Sequence, residues 1–209
     1  GMAEAATSTG ARVIGGNLSG GSILSITTTA FGAPLGRPVT RRGARPGDSI
    51  YVTGTLGAAA LGLSVAMAKR LDLPGAQHFV ERWRRPPINA HAARVISELA
   101  TAAVDVSDGC LQDLGHLCRA SEVGATLRVD ALPTDARHVE VCTALGLDPR
   151  ELALSGGEDY ELLFTAPRSP AANEIATEVG VITEAVTVEV VDSDGRAVEL
   201  PGAGFSHFS

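Results

Sequence analysis

Aromatic residues are scarce in this 209-residue chain, at 4% with a single tryptophan, so an interior built on large rings is excluded and Ala, Val, Leu and Gly must fill it. Cysteine is scarce too. Cys110, Cys118 and Cys142 are an odd, widely spaced set without a CxxC pair, which argues against a disulfide frame or a zinc site and suits a reducing cytosol. Positive charge is in deficit, with 17 Lys and Arg against 24 Asp and Glu and a net charge of −7. That balance argues against a nucleic-acid surface built on phosphate neutralisation. No apolar run reaches the ~18 residues a membrane span needs. No basic segment followed by an apolar one opens the chain, so a cytoplasmic location is expected. Also missing are a GxxxxGKS or GxxxxGKT phosphate loop, a GxGxxG turn after a strand, a HxxxH pair and a nucleophile elbow. The five histidines are scattered.

What is present is enough apolar material, 44% of residues against 20% charged, to bury a core. The length fits one large domain, or a domain with part of another. Ala3–Ser8 reads as a short helix stopped by Gly10, followed by strands over Arg12–Ile14 and the β-branched Ser22–Phe31, SILSITTTAF. A Gly-, Pro- and Arg-rich connector then runs to Asp48, and this shift in composition sets the expected boundary between residues 1–36 and 37–209. Beyond it, strands are expected at Ser49–Thr53, Val104–Ser107, Ala125–Val129, Tyr160–Thr165 and Val186–Val191. Helices are expected at Leu56–Lys69, Gln77–Trp83, His91–Ala103, Asp108–Ala120, Val139–Leu145 and Ala171–Val179. Asp192-Ser193-Asp194-Gly195 signals a hairpin leading into Arg196–Leu200. The expected class is mixed α/β, with helices flanking a mixed sheet and a β stub at the N-terminus. Two strands make a poor independent unit in water, so the stub calls for a partner and the chain reads as truncated.

Three stretches carry candidate chemistry. In VDVSDGCLQDLGH, Asp105 and Ser107 share a strand face, and Asp108 enters the first turn of the next helix. Two carboxylates and a hydroxyl within four residues offer the hard oxygen ligands that Mg2+ accepts. The same residues also fit a plain helix start, with Ser107 or Asp108 as the cap and Asp105 a solvated strand end. In ALSGGEDYEL, the Gly156-Gly157 pair permits unusual backbone angles ahead of Glu158 and Asp159; a polar turn explains it equally. In TRRGARPGD, Arg41 or Arg42 can clamp a phosphate, or simply sit on a basic surface loop. Gly15-Gly16-Asn17 is a Gly-rich turn that a nucleotide can approach.

In this order the segments RRGARPGDSIYVTGTLGAAALGL, AAVDVSDGCLQDLGHL, ALSGGEDYELLFT and the terminal GFSHF resemble the thiamine-monophosphate kinases. These form a branch of the superfamily of aminoimidazole ribonucleotide synthetase, selenophosphate synthetase and a hydrogenase-maturation protein. The resemblance covers most of the chain from Ile14 to Phe208. It implies the C-terminal domain fold of that superfamily, preceded by the end of its N-terminal domain. It further implies ATP- and Mg2+-dependent phosphorylation of thiamine phosphate to thiamine diphosphate, by positioning and charge neutralisation rather than covalent catalysis. By the same resemblance Asp105 and Asp108 are Mg2+ ligands, Ser107, Arg41 and Gly16 contact the nucleotide, and Glu158 contacts the substrate. Phe205 falls where an aromatic meets the thiamine moiety.

The family's GGD motif stands here as Gly15-Gly16-Asn17, so Asn17 replaces a metal-binding aspartate. Most of the family's N-terminal domain, with further metal carboxylates and the dimer interface, has no counterpart in the chain. The expectations are therefore little turnover alone, and a homodimer or pairing with a separate N-terminal domain. Two other readings stand beside this one: a non-catalytic nucleotide- or thiamine phosphate-binding or assembly module, and a superfamily member acting on another phosphate acceptor.

Overall fold

The structure, a computed structural model, describes residues 1–34 and 36–198. It divides into two units, Gly1–Leu35 and Gly36–Ser209.

In the first unit, helix α1 (Met2–Thr9) ends at Gly10, whose left-handed φ of 72° closes the last turn. The two strands expected after it do not form. Residues 11–34 contain no strand among the described residues, and Ile14, Ile23 and Phe31 are each more than 80% exposed. The β-branched composition of Ser22–Phe31 is real, but composition does not make a strand without a neighbouring ladder to take its N–H and C=O groups.

The second unit is built on six strands: β1 (Ser49–Val52), β2 (Ala102–Asp105), β3 (Gly124–Arg128), β4 (Leu162–Ala166), β5 (Thr177–Thr183) and β6 (Val188–Val191). They lie in the order β2-β4-β1-β5-β3-β6. All neighbours are antiparallel except β3 and β6, which are parallel, so the sheet is mixed as expected. Every residue of β1 is buried, because β1 lies mid-sheet with both faces covered. Side-chain alternation divides the core. Ile50, Val52, Val104, Leu163 and Ile182 face Leu114 and Leu117 of α5 (Cys110–Ser121) and Leu154 of α7 (Pro149–Ser155). On the other face Tyr51 stacks on Phe164, centroids 5.2 Å apart, beneath Ala92 and Ile96 of α4 (Ala90–Leu99) and Ala172 of α8 (Pro170–Asn173). A third cluster joins α2 (Ala58–Ala68), α3 (Ala76–Arg84) and α6 (His138–Leu145) through Leu61, Val65, Phe79 and Val141.

Several boundaries differ from expectation. The helix expected over His91–Ala103 stops at Leu99, and the following strand starts at Ala102 rather than Val104, because all four residues of β2 pair with β4, from Ala102↔Thr165 to Asp105↔Leu162. The helix expected over Ala171–Val179 is one short turn. Thr177–Thr183 is instead β5, wedged between β1 and β3, where paired neighbours outweigh the helical pattern set by Ala171, Ala172 and Ala176 just before it. Helix α7 was not foreseen, although Asp148 followed by Pro149 is a helix-start signature: the Asp148 carboxylate accepts the N–H groups of Arg150 and Glu151. The Asp192–Gly195 turn forms, with Val191 bridged to Ala197.

Candidate functional site

At one end of β2 the chain leaves the sheet as Val106-Ser107-Asp108-Gly109 and enters α5. The loop before β4 runs alongside it. Val106 donates its N–H to the Glu161 carbonyl at 2.8 Å, while the carbonyls of Val106 and Ser107 accept from the N–H groups of Tyr160 and Glu158, both at 2.9 Å. These three bonds prolong the β2–β4 pairing and join the two motifs that lie about fifty residues apart in sequence. The glycines permit the approach. A Cβ on Gly157 would lie 2.5 Å from the Ser107 carbonyl oxygen, and one on Gly109, whose φ is +121°, would lie 2.7 Å from that of Ser155. Glu158 and Tyr160 both have left-handed backbones, φ +66° and +51°, and both side chains are exposed. Such conformations persist in non-glycine residues only where surrounding contacts impose them.

Asp105, Ser107 and Asp108 are all half-buried at this corner. Neither Ser107 nor Asp108 caps α5: the cap position is Gly109, and no side chain caps from there. The capping group comes from inside the helix. One oxygen of Asp113, a residue 1% exposed, accepts the N–H groups of Ser107, Asp108 and Gly109 at 3.0, 2.9 and 3.2 Å. Burial pushes the Asp113 carboxyl above its ordinary pKa, the amides from Asp108 and Ser107 oppose this, and the negative charges of Asp108 and Asp105 add to the rise. Asp108, Asp113 and His116 bring potential metal-ligand atoms within 4.8 Å of one another. However, His116 Nδ1 is held at 2.8 Å by the Arg119 guanidinium, which has only protons to offer, so the neutral ring carries its own proton on Nε2 and has no free lone pair. The hard oxygen donors of the corner fit a divalent cation such as Mg2+.

The other acids of the second motif serve different ends. Asp159 is buried, and its two oxygens accept the N–H groups of Gly57 and Ala59, at 2.6 and 2.9 Å, capping α2 from across the fold. Burial raises its carboxyl pKa to about 6 despite those amides. Glu161 is buried as well. It accepts from Thr53 Oγ1 at 2.7 Å, from Arg82 Nη2 at 2.9 Å and from the Asn89 side-chain amide. Only Glu158 therefore remains on the surface beside Ser107. The sequence reading named Asp159 only beside Glu158 and missed Asp113 and Glu161, yet a strand-like alternation of 158 and 160 out, 159 and 161 in, was available to separate the acids of the loop.

Arg41 lies elsewhere. Its carbonyl accepts from Ser121 Oγ at the C-terminal end of α5, whereas Asp108 precedes the N-terminal end; twelve helical residues separate the ends by about 18 Å. The structure does not bring Arg41 beside the acidic corner. Arg42 makes an exposed ion pair of 4.0 Å with Glu122 at the same end. Gly16 and Asn17 are exposed in the first unit. Phe205 lies outside the described residues.

Among the described residues no helix is long and apolar enough to cross a membrane. A mixed sheet with an acidic strand-to-helix corner and a glycine-rich loop packed against it defines a class that comparison with known proteins identifies. Residues 45–200 match the family model described as AIR synthase related protein, C-terminal domain, and the chain belongs to that family. It is 40% identical over 214 residues to the thiamine-monophosphate kinase of Escherichia coli K12, covering 95% of this chain and 64% of that protein. It is 36% identical to that of Aquifex aeolicus, over 94% of this chain and 63% of the relative. A solved structure described as AaThiL complexed with AMPPCP and TMP superposes with a TM-score of 0.72 at 36% identity, covering 82% of this chain and 55% of that one. The chain thus spans under two thirds of the length of these relatives.

Proposed function

We propose that this chain acts in a thiamine-monophosphate kinase, supplying its metal- and nucleotide-binding C-terminal part, in a reaction that moves the γ-phosphoryl group of ATP to the phosphate of thiamine monophosphate. The observation that carries the reading is that three backbone hydrogen bonds, made by Val106 and Ser107 with Glu158, Tyr160 and Glu161, join the segment bearing Asp105, Ser107 and Asp108 to the loop bearing Glu158. The likeness to a protein solved with an ATP analogue and TMP supports it.

In this reading Asp105 and Asp108 hold Mg2+, Ser107 and Gly16 contact the nucleotide, and Glu158 orients the thiamine phosphate. Asn17 offers a carbonyl oxygen where an aspartate would bind metal more strongly, and Phe205 stacks on the thiamine. Bound Mg2+ supplies charge neutralisation on the polyphosphate. The chain's own part is positioning: the rigid corner fixes donor oxygens, and the pinned loop keeps Glu158 beside them. The exposed apolar stretch of the first unit, with Ile23, Leu24, Ile26 and Phe31, supports pairing into a homodimer or with a separate N-terminal domain. Three buried free thiols suit a cytoplasmic setting.

Calorimetry with Mn2+, Mg-ATP and thiamine monophosphate tests the reading, alongside an assay for thiamine diphosphate. Replacing Asp105 and Asp108 together by Asn is expected to weaken Mn2+ binding at least a hundredfold. Unchanged affinity for metal and nucleotide in that variant would refute the assignment. Binding of both ligands without product would favour the binding-module reading, to which Asn17 lends support.

A further inference from the structure

The acidic corner holds one group that the proposed chemistry leaves without a task. Asp113 sits one turn inside α5, is almost wholly buried, and directs one carboxylate oxygen at three consecutive backbone N–H groups. Three successive amides converging ahead of a helix form the kind of concavity that takes up phosphate in many proteins. Here the concavity is filled from within.

We infer that Asp113 is a positioning residue with two linked effects: it fixes the orientation of the Ser107–Gly109 turn, and by occupying the turn's amides it denies them to phosphate, so that anions reach this corner only through bound cations. The inference builds on the function proposed above. Geometry supports it at both ends. The same Ser107 whose N–H is taken by Asp113 gives its carbonyl to Glu158, so the turn is clamped from two sides. Asp105, Asp108 and Asp113 together place three carboxyl groups where a metal-free polyphosphate would be repelled.

The test uses the full chain and two variants. Asp113→Ala removes the acceptor, while Asp113→Asn keeps an acceptor oxygen of nearly the same shape without the charge. Amide hydrogen exchange of residues 107–109, measured without metal, is expected to accelerate tenfold or more in D113A and to return to within about threefold of the parent in D113N. Metal-free pyrophosphate is expected to bind D113A at least tenfold more tightly than the parent. Mn2+ affinity is expected to fall ten- to a hundredfold in D113A, the usual loss when a group supporting metal ligands is removed, and to be largely rescued in D113N. Unfolding temperatures separate these effects from a general loss of fold, which would speed exchange throughout the second unit rather than at residues 107–109. Three results overturn the inference: unchanged exchange at 107–109 in D113A, no gain in pyrophosphate binding, or D113N as impaired as D113A, which would make Asp113 a metal ligand through its charge. A parent chain that binds no Mn2+ would sink the proposed function instead; the exchange and pyrophosphate results would still decide the role of Asp113.

Discussion

Removing the Arg82 guanidinium tests the charge network at the base of the candidate site. The Glu161 side chain is 2% exposed and Arg82, its 2.9 Å partner on α3, is 20% exposed. Stripping the cation from a buried pair leaves an uncompensated charge and costs about 3–5 kcal/mol. Two features reduce that figure here. Thr53 Oγ1 and the Asn89 amide still donate to the carboxylate, and hydrogen bonds to a charged group contribute about 1.5–3 kcal/mol each. Arg82 is also exposed enough for water to enter the space it leaves. Arg82→Ala should therefore cost about 2–3 kcal/mol, and at about 2–4 °C per kcal/mol for a chain of this size Tm should fall by roughly 4–12 °C. Urea denaturation of R82A, E161Q and the double variant at pH 7 checks this, and the cycle should show a coupling of at least about 1.5 kcal/mol. A loss below about 0.5 kcal/mol, or additivity of the two substitutions, would show that solvent already screens the pair. Raising NaCl to about 1 M should change the R82A penalty little, since buried charges are weakly screened, whereas a surface pair would lose its effect.

Asp159 predicts a pH signature. Its folded pKa of about 6 lies above the ordinary 3.8, so the folded chain binds that proton more tightly and stability falls as pH rises between those values. The full shift corresponds to about 3 kcal/mol, of which about 2.4 kcal/mol should appear as the change in stability difference between the parent and Asp159→Asn from pH 4 to pH 7, in which other titrating groups cancel. A constant difference across that range would refute it. Gly157→Ala should push the Ser107 carbonyl away from the loop, costing about 1–3 kcal/mol and weakening Mn2+ and nucleotide binding together; calorimetry showing intact binding would count against the pinned corner. Gly62→Ala sets helix propensity, a gain of about 1 kcal/mol, against a Cβ placed 2.0 Å from the Phe79 carbonyl. Net destabilisation of about 1–3 kcal/mol is expected, and a rise in Tm would show that α2 and α3 can separate freely.

How far these features could be read from the sequence depends on whether the deciding contact was local. β1 and α2 were legible because a short apolar run after a Gly- and Pro-rich connector and a small-residue apolar run are properties of neighbouring residues, and the acidic corner was legible because its residues lie within one short stretch. β5 was not. Its fate is decided by β1 and β3 on either side, partners more than fifty residues away along the chain. Ser22–Phe31 failed in the opposite direction, with strand composition but no ladder among the described residues of its unit. At the site the same division holds. Asp105 and Asp108 lie three residues apart in sequence and were singled out, whereas the burial that makes Asp113 a clamp, Asp159 a cap on α2 and Glu161 an ion-pair partner arises only from tertiary packing. A run such as GGEDYE thus looks like one acidic patch of three carboxylates, yet the fold leaves a single one, Glu158, at the surface. The negative charge available to a ligand at that loop is about one third of what composition implies. Under the proposed function the Asp105–Asp108 corner, rather than the SGGEDY loop, is where a cation would be held, so a loss of metal in variants is to be sought first at residues 105–113.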